Sequence, residues 1–339
     1  MKTHNIYMLT FLVGLLSLTA CKKEITNSES DSPNYTSIQP IPDSIEVGEI
    51  VIYNAFKHQI LAGQSEVYDR QLIMNDVYHR HQVLWDSCLG MIFGEQNALK
   101  FQTDEGMADW NESLFSESDP LIDSLTTVIL EYAVDSIFNY HTIRFDELGY
   151  ETPKARISLA FVPFQGIGFG GCANDQFILE LNNPEFELIY TLEKGIPHEL
   201  YHFINESLLG QQEEFTALDL AINEGLACRF TEMYFNGDIS KYEAVENMTQ
   251  EDWQYYEARE KEIFQTMQPY FSDTSGDNGL LHPERYDLFL DAPRSVYYWL
   301  GYQIVETYLE KYPETSMEQL ASIPYYEIYM KSAYADQFK

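Results

Sequence analysis

Positive charge is scarce in this sequence. Its 339 residues include 20 lysines and arginines against 54 aspartates and glutamates, which gives a formal net charge of -34 at pH 7. A surface this acidic repels phosphate backbones and anionic lipid headgroups. We therefore expect no nucleic-acid partner, and we interpret the acidity as a solvated surface that keeps the protein in solution.

Cysteine is scarce as well, with four residues in the whole chain. Cys21 belongs to the amino-terminal signal described next, which leaves Cys88, Cys172 and Cys228. An odd number of cysteines cannot pair completely, and so few in a body of this size do not make a disulfide framework. One bridge with a buried thiol and three buried thiols are both open.

The amino-terminal apolar run, residues 6–18, is shorter than the about 20 residues that a membrane-spanning helix needs. It follows Lys2 and ends in Leu18-Thr19-Ala20-Cys21, where small residues favour signal cleavage. This ending resembles a bacterial lipobox, which implies cleavage before Cys21 and attachment of lipid to it. We expect a lipid-anchored, extracytoplasmic protein of the cell envelope, periplasmic or surface-exposed. An uncleaved anchor or an ordinary secretory signal is the alternative.

Composition divides the rest of the chain. Residues 22–44 are rich in Ser, Asn, Pro and acidic residues, which predicts a flexible tether, whereas the later sequence is apolar and aromatic enough to fold. We therefore predict a signal peptide at 1–20, a tether at 21–45 and a single domain at 46–339. Within the domain, a helical part at 46–150 precedes a part at 151–339 that carries the candidate site.

Apolar spacing predicts helices in the first part of the domain. Residues 65–93 carry apolar side chains three and four positions apart, as an amphipathic helix does. A second helix is predicted over residues 118–140, because Ser118 or Asp119 can cap it and Pro120 fits its first turn. The expected fold class is α+β and mainly helical.

Strand patterns predict a small β-sheet. Residues 46–53 form a short β-leaning run, and residues 156–164 and 176–181 are typical of two neighbouring strands. The glycine-rich segment 166–171 between them lacks the spaced Lys-Ser/Thr of a phosphate-binding loop. We interpret it as a tight hairpin or bulged connection.

The sequence His-Glu-Leu-Tyr-His at residues 198–202 is typical of a zinc site. Residues four apart lie one turn above each other on a helix, so His198 and His202 can direct both imidazoles at one ion. Zinc (Zn2+) held in this way keeps an open position for water, whose pKa can fall to about 7. The pattern predicts His198 and His202 as metal ligands and Glu199 as the general base.

A third ligand is predicted at Glu224, 22 residues after His202. Its neighbours in an otherwise apolar helical stretch leave it little polar surface, and an ionised carboxylate there needs a partner. The alternative is a surface glutamate on an amphipathic helix.

These motifs resemble the gluzincin metallopeptidases. The likeness is closest to the bacterial family of predicted zinc-dependent proteases defined by HExxH followed by Glu-Gly-Leu-Ala, here residues 224–227. It covers about residues 155–333 and implies a zincin-like domain with an HExxH active-site helix. It also implies an edge strand at 176–181, a later helix at 297–304, and peptide or protein substrates.

Gluzincin-like enzymes often use a tyrosine or histidine from the carboxy-terminal half to stabilise the developing oxyanion. Tyr298 and Tyr302 are our candidates, with packing alone as an equal alternative, and His282 competes for the role. Four further residues are weighed as minor candidates. We predict His79 and His81 as surface residues, Cys228 as a small buried residue, and Asp219 as either a partner of a histidine ligand or a surface carboxylate.

Two function classes are compatible with this pattern. The first is a membrane-anchored zinc metallopeptidase. The second is a non-catalytic binding or assembly lipoprotein, of the gliding-motility or secretion type, that retains the domain. The intact motif residues favour the enzyme. A solute-binding lipoprotein would call for two doubly wound lobes, which the strand pattern does not support.

The lipobox interpretation predicts the effect of Cys21→Ser. Lipid labelling should be abolished, because the residue that receives the acyl chains is gone, and the protein should stay uncleaved or become soluble. Metabolic labelling with a fatty-acid analogue, followed by membrane fractionation, measures both effects. Labelling equal to the wild type would contradict the interpretation.

Overall fold

A computed structural model of the chain describes residues 37–89, 102–131, 134–162, 169–173, 175–182, 191–209, 215–293 and 295–339. The predicted signal peptide, Cys21 and the tether up to residue 36 lie outside the described residues. The described residues belong to one compact unit, Pro33–Lys339. Ile38 and Ile41 are buried in it, so packing begins before the predicted domain start at residue 46.

Five short strands in the described part of the chain form one mixed sheet, in the order β1-β2-β3-β5-β4. They are β1 Ser44–Val47, β2 Ile50–Tyr53, β3 Ala155–Ala160, β4 Phe169–Ala173 and β5 Gln176–Glu180. β3 is parallel to both of its neighbours, β2 and β5, whereas β1 and β4 are antiparallel to theirs. The two strands predicted at 156–164 and 176–181 are therefore confirmed as neighbours.

The glycine-rich segment contributes a strand that its sequence does not predict. β4 pairs with β5 through a register irregularity between Gly170 and Ala173, whereas residues 166–168 of the predicted connection lie outside the described residues. The predicted edge strand is wrong, because β4 lies at the edge and residues 176–180 lie inside the sheet. Glycines in β4 remove the alternation of side chains by which a strand is recognised in a sequence.

Helices make up most of the remaining described structure, as expected for a mainly helical α+β fold. The α-helices are α1 Ala55–Gln64, α2 Arg70–Ile73, α3 Asp104–Glu131, α4 Val134–Glu147, α5 Ile196–Leu209, α6 Ala217–Tyr234, α7 Lys241–Ala244, α8 Gln250–Met267, α9 Val296–Lys311, α10 Met317–Ala321 and α11 Tyr325–Ser332. Short π or 3-10 turns cover Met74–Tyr78, His79–His81, Leu84–Leu89, Thr191–Gly195, Gln268–Tyr270, Pro283–Tyr286 and Tyr334–Phe338. Capping boxes start α6, α7, α8 and α10 by binding their first free backbone N–H groups.

Two predicted helix starts are wrong, and α1 was not predicted. The helix predicted from residue 65 starts at Arg70, where the Asp69 side chain accepts from Leu72 N at 3.0 Å. The helix predicted from residue 118 starts at Asp104, where Thr103 Oγ1 accepts from Gly106 N at 3.0 Å. In both cases the helix begins at a capping side chain other than the predicted one. Apolar spacing does not identify the cap, because a cap acts through a single hydrogen bond.

The sheet has a hydrophobic core on each face. On one face, residues such as Ile157 and Leu159 join a large cluster with the apolar side chains of α5, α6 and α9. On the other, Ala160 and Ile178 join a smaller cluster with Trp85 from the amino-terminal helical part. Residues that alternate along a strand point to opposite faces, so one short sheet supports both layers.

α6 and α9 approach each other backbone to backbone at two glycines. A Cβ atom on Gly225 would overlap the backbone of Gly301, and one on Gly301 would overlap the carbonyl oxygen of Ala221. Backbone atoms cannot rotate away from such an overlap. Glycine is therefore required at both positions for α6 and α9 to pack this closely.

Gly301→Ala tests this contact. The added methyl group should separate the two helices and lower the free energy of unfolding by about 1–3 kcal/mol, the usual cost of overpacking a core. Urea unfolding measures the change. Gly276→Ala is the control, because its Cβ would meet no atom within 4 Å, and it should stay within about 0.5 kcal/mol of the wild type. Equal stability of the two variants would contradict the predicted contact.

Candidate metal centre

α5 presents the HExxH motif on an unbroken helix. A π-helical turn at Thr191–Gly195 runs directly into α5, so any irregularity at Gly195 and Pro197 comes before the first histidine. Pro197 lies in the first turn of α5, where its missing N–H has no intrahelical partner to lose. The side chains of His198 and His202 therefore project from the same face of one continuous helix.

Glu224 of α6 faces these two histidines. The His198 Nε2 atom lies 3.1 Å from Glu224 Oε2 and 3.2 Å from His202 Nε2, and His202 Nε2 lies 3.4 Å from Glu224 Oε2. Ligands at about 2.0 to 2.1 Å from a tetrahedral zinc ion are about 3.3 to 3.4 Å apart. Two imidazole nitrogens and one carboxylate oxygen thus have the chemistry and the spacing to hold zinc. Among the described residues, the ligand atoms of these three side chains all lie within 4.8 Å of one another, close enough to hold one metal ion.

The charges of the cluster favour a cation. Burial alone would raise the pKa of the Glu224 carboxyl, but His202 and His198 outweigh burial and lower it. Burial alone would lower the pKa of His202, but Glu224 outweighs it and raises that pKa to about 9. The carboxylate therefore stays ionised in a partly buried position, and positive charge beside it is stabilised.

Of the two roles left open for Asp219, the one beside a histidine is not found, because Asp219 completes the capping box of α6 with Thr216. The partner of His202 is Asn223, whose Oδ1 lies 3.3 Å from His202 Nδ1. Asn223 is not among the residues predicted from the sequence. Its signal was an amide next to Glu224 in an apolar stretch, one of few polar groups there able to bond a ligand.

Cys228 is buried, as predicted, and its sulfur lies 3.9 Å from His198 Nδ1. Burial raises the pKa of this thiol well above its usual range, and the negative charge of Glu224 adds to the effect. Cys228 is therefore a neutral thiol beside the ring of His198. It is free, whereas the side chains of Cys88 and Cys172 lie outside the described residues.

Glu199 lies partly buried beside the cluster and carries a second carboxyl group. Burial raises its pKa above the ordinary value, although positive charge on His198 and His202 opposes this shift. Glu199 therefore lies within electrostatic range of His198, His202 and Glu224 and holds its proton more readily than an exposed carboxyl group does.

Comparison with protein families supports this arrangement. Residues 157–330, more than half of the chain, match the family described as Predicted Zn-dependent protease (DUF2268). The chain belongs to this family. Neither curated proteins nor solved structures yield a match.

In this member of the family, α9 brings one of the two candidate tyrosines to the cluster. The ring of Tyr298 stacks on His198 with centroids 6.1 Å apart. Burial raises the pKa of its hydroxyl well above the usual range, and Glu224 adds to the shift, so the hydroxyl keeps its proton. Tyr302 is engaged elsewhere, because its hydroxyl donates to Glu232 Oε2 at 2.6 Å.

The other histidines considered from the sequence lie apart from the described cluster. His79 is exposed and pairs with Asp104 at 2.6 Å, and His282 lies 3.7 Å from Glu284. The surface location predicted for His81 is wrong, because its ring is buried and packs edge-on against Tyr53. Their two-residue spacing indicates that His79 and His81 point in different directions. It does not indicate that the side of the helix with His81 is buried against the rest of the protein.

The geometry predicts which residues hold zinc. We expect the wild type to bind about one zinc ion per chain. Most of this zinc should be lost in each of the variants His198→Ala, His202→Ala and Glu224→Ala, because the two remaining protein ligands leave the site incomplete. Elemental analysis of the purified proteins measures the occupancy. His282→Ala is the matched control and should retain its zinc. Full occupancy in Glu224→Ala, with loss in His282→Ala, would show that His282 is the third ligand.

Proposed function

We propose that this chain is a zinc metallopeptidase with a zincin-like domain that hydrolyses peptide bonds. The observation that carries the proposal is the triangle formed by His198 Nε2, His202 Nε2 and Glu224 Oε2, with sides of 3.1 to 3.4 Å. Zinc bound there supplies Lewis-acid activation of water and of the substrate carbonyl. The family description points to the same chemistry.

Glu199 is the general base in this proposal. Its carboxylate takes the proton from the attacking water and passes it to the leaving nitrogen of the peptide. Burial raises the pKa of Glu199, which improves its match to proton transfer near neutral pH. Because Glu199 is not one of the three ligand residues, its proton-transfer role can be removed separately from metal binding.

Tyr298 is the proposed donor to the oxyanion. Its hydroxyl keeps a proton to donate, and its ring lies against His198 at the edge of the cluster. A positioned donor stabilises the negative charge that develops on the carbonyl oxygen. Tyr302 is not proposed for this role, because its hydroxyl is bonded to Glu232.

The proposed location is the cell envelope, with the protein anchored by lipid on Cys21. The lipobox-like run Leu18-Thr19-Ala20-Cys21 supports it. Among the described residues, no helix is both long and apolar enough to span a bilayer. A lipid anchor would place the domain on peptides or proteins outside the cytoplasm.

Glu199→Gln tests the enzyme proposal. The substitution keeps the size of the side chain and removes the base, so zinc content and thermal stability should persist while peptide hydrolysis falls by about 100-fold or more. Cleavage of an unbiased peptide library by wild type and variant, analysed by mass spectrometry, measures this.

Two outcomes would change the conclusion. Hydrolysis by Glu199→Gln at the wild-type rate would assign the base to another residue or the cleavage to a contaminant. Zinc-loaded wild type that cleaves no peptide but binds a defined envelope partner would instead favour the binding or assembly lipoprotein.

A further inference from the structure

The two imidazoles of the cluster are oriented by different contacts. His202 Nδ1 lies 3.3 Å from Asn223 Oδ1, whereas His198 Nδ1 faces the sulfur of Cys228 at 3.9 Å. An amide oxygen only accepts hydrogen bonds, so the proton of His202 resides on Nδ1. This leaves Nε2 of His202, which lies 3.4 Å from Glu224 Oε2, as the nitrogen that would bind the metal in place of a proton.

Asn223 is itself held by two buried side chains. Asn205, one turn after His202 on α5, donates to Asn223 Oδ1 at 2.9 Å, and the hydroxyl of Tyr325 donates to the same oxygen at 3.0 Å. Asn205 also donates to the Tyr325 hydroxyl at 3.0 Å. Asn205 is 1% and Tyr325 4% exposed, so water cannot readily replace these bonds.

These bonds join the cluster to the carboxy-terminal helix. Tyr325 is the first residue of α11, while Asn223 belongs to α6 and Asn205 to α5. The connection therefore links segments that are 102 residues apart in the sequence. Without the Tyr325 hydroxyl, the Asn223 amide would lose one of the donors that fix its orientation, and His202 would lose a fixed acceptor.

We infer that Tyr325 and Asn205 are positioning residues for the metal ligand His202, acting through Asn223. The inference rests on the proposed zinc site. Groups that orient a ligating histidine typically change metal affinity about 10- to 100-fold when they are removed. Coupling between two sites is reciprocal, so zinc bound at His202 favours the docked position of α11, and docked α11 favours zinc binding.

Tyr325→Phe tests this role. The variant keeps the ring that packs against Phe215, with centroids 6.3 Å apart, and removes only the hydroxyl. Its zinc dissociation constant, measured by competition with a chromophoric chelator, should rise about tenfold. Tyr334→Phe is the matched control, because it also removes a buried hydroxyl, one that donates to Glu260 at 2.8 Å. The control should bind zinc as the wild type does.

A second variant and a second measurement separate positioning from a general loss of stability. Asn205→Leu keeps the approximate volume of the side chain and should weaken zinc binding as Tyr325→Phe does. In the wild type, zinc should slow amide hydrogen exchange in residues 325–332, and this protection should be smaller in Tyr325→Phe. Zinc binding by the wild type that slows no exchange in residues 325–332 would overturn the inference.

The two proposals fail in different ways. Equal zinc affinities of Tyr325→Phe and Tyr334→Phe would overturn the positioning role and leave the zinc site intact. Absence of zinc binding in the wild type would overturn the proposed function itself, and the positioning role with it.

Discussion

The contact between α6 and α9 at Gly225 and Gly301 is the constraint on which the candidate site depends. Glu224 immediately precedes Gly225, and Tyr298 lies one turn before Gly301. A side chain at either glycine would overlap backbone and separate the two helices. The close contact between α6 and α9 therefore places the Glu224 carboxylate and the Tyr298 ring beside the histidines of α5. We expect a substitution at either glycine to shift these two side chains, although neither glycine belongs to the cluster.

The charges of the cluster would link metal binding to folding. Two imidazoles and an ionised carboxylate converge within 3.1 to 3.4 Å, in a partly buried position where negative charge is costly unless it is compensated. A proton or a metal ion can supply the compensating charge, and they compete for the same nitrogen atoms. Metal binding at such a site releases protons and contributes to the free energy of folding.

The sequence predicts those features of the site that depend on spacing within a single helix. His198 and His202 are four residues apart on a helix, and this spacing alone puts them on one face. Glu224 was recognisable because a carboxylate in an apolar stretch needs a partner. The role of Asn223 was not recognisable, because its contact with His202 depends on how α5 and α6 pack. The edge position of β4 escaped prediction for a similar reason, since strand order is set by pairing between distant segments.

Tyr298 and Tyr302 show the limit of helical periodicity. They lie four apart on α9, and the spacing predicts a shared face, yet only Tyr298 contacts a residue of the cluster. One helical turn moves a side chain about 5.4 Å along the axis, which is enough to carry the Tyr302 hydroxyl to Glu232, two turns beyond Glu224. Residues one turn apart on the same face of a helix can therefore have different partners, as Tyr298 has His198 and Tyr302 has Glu232.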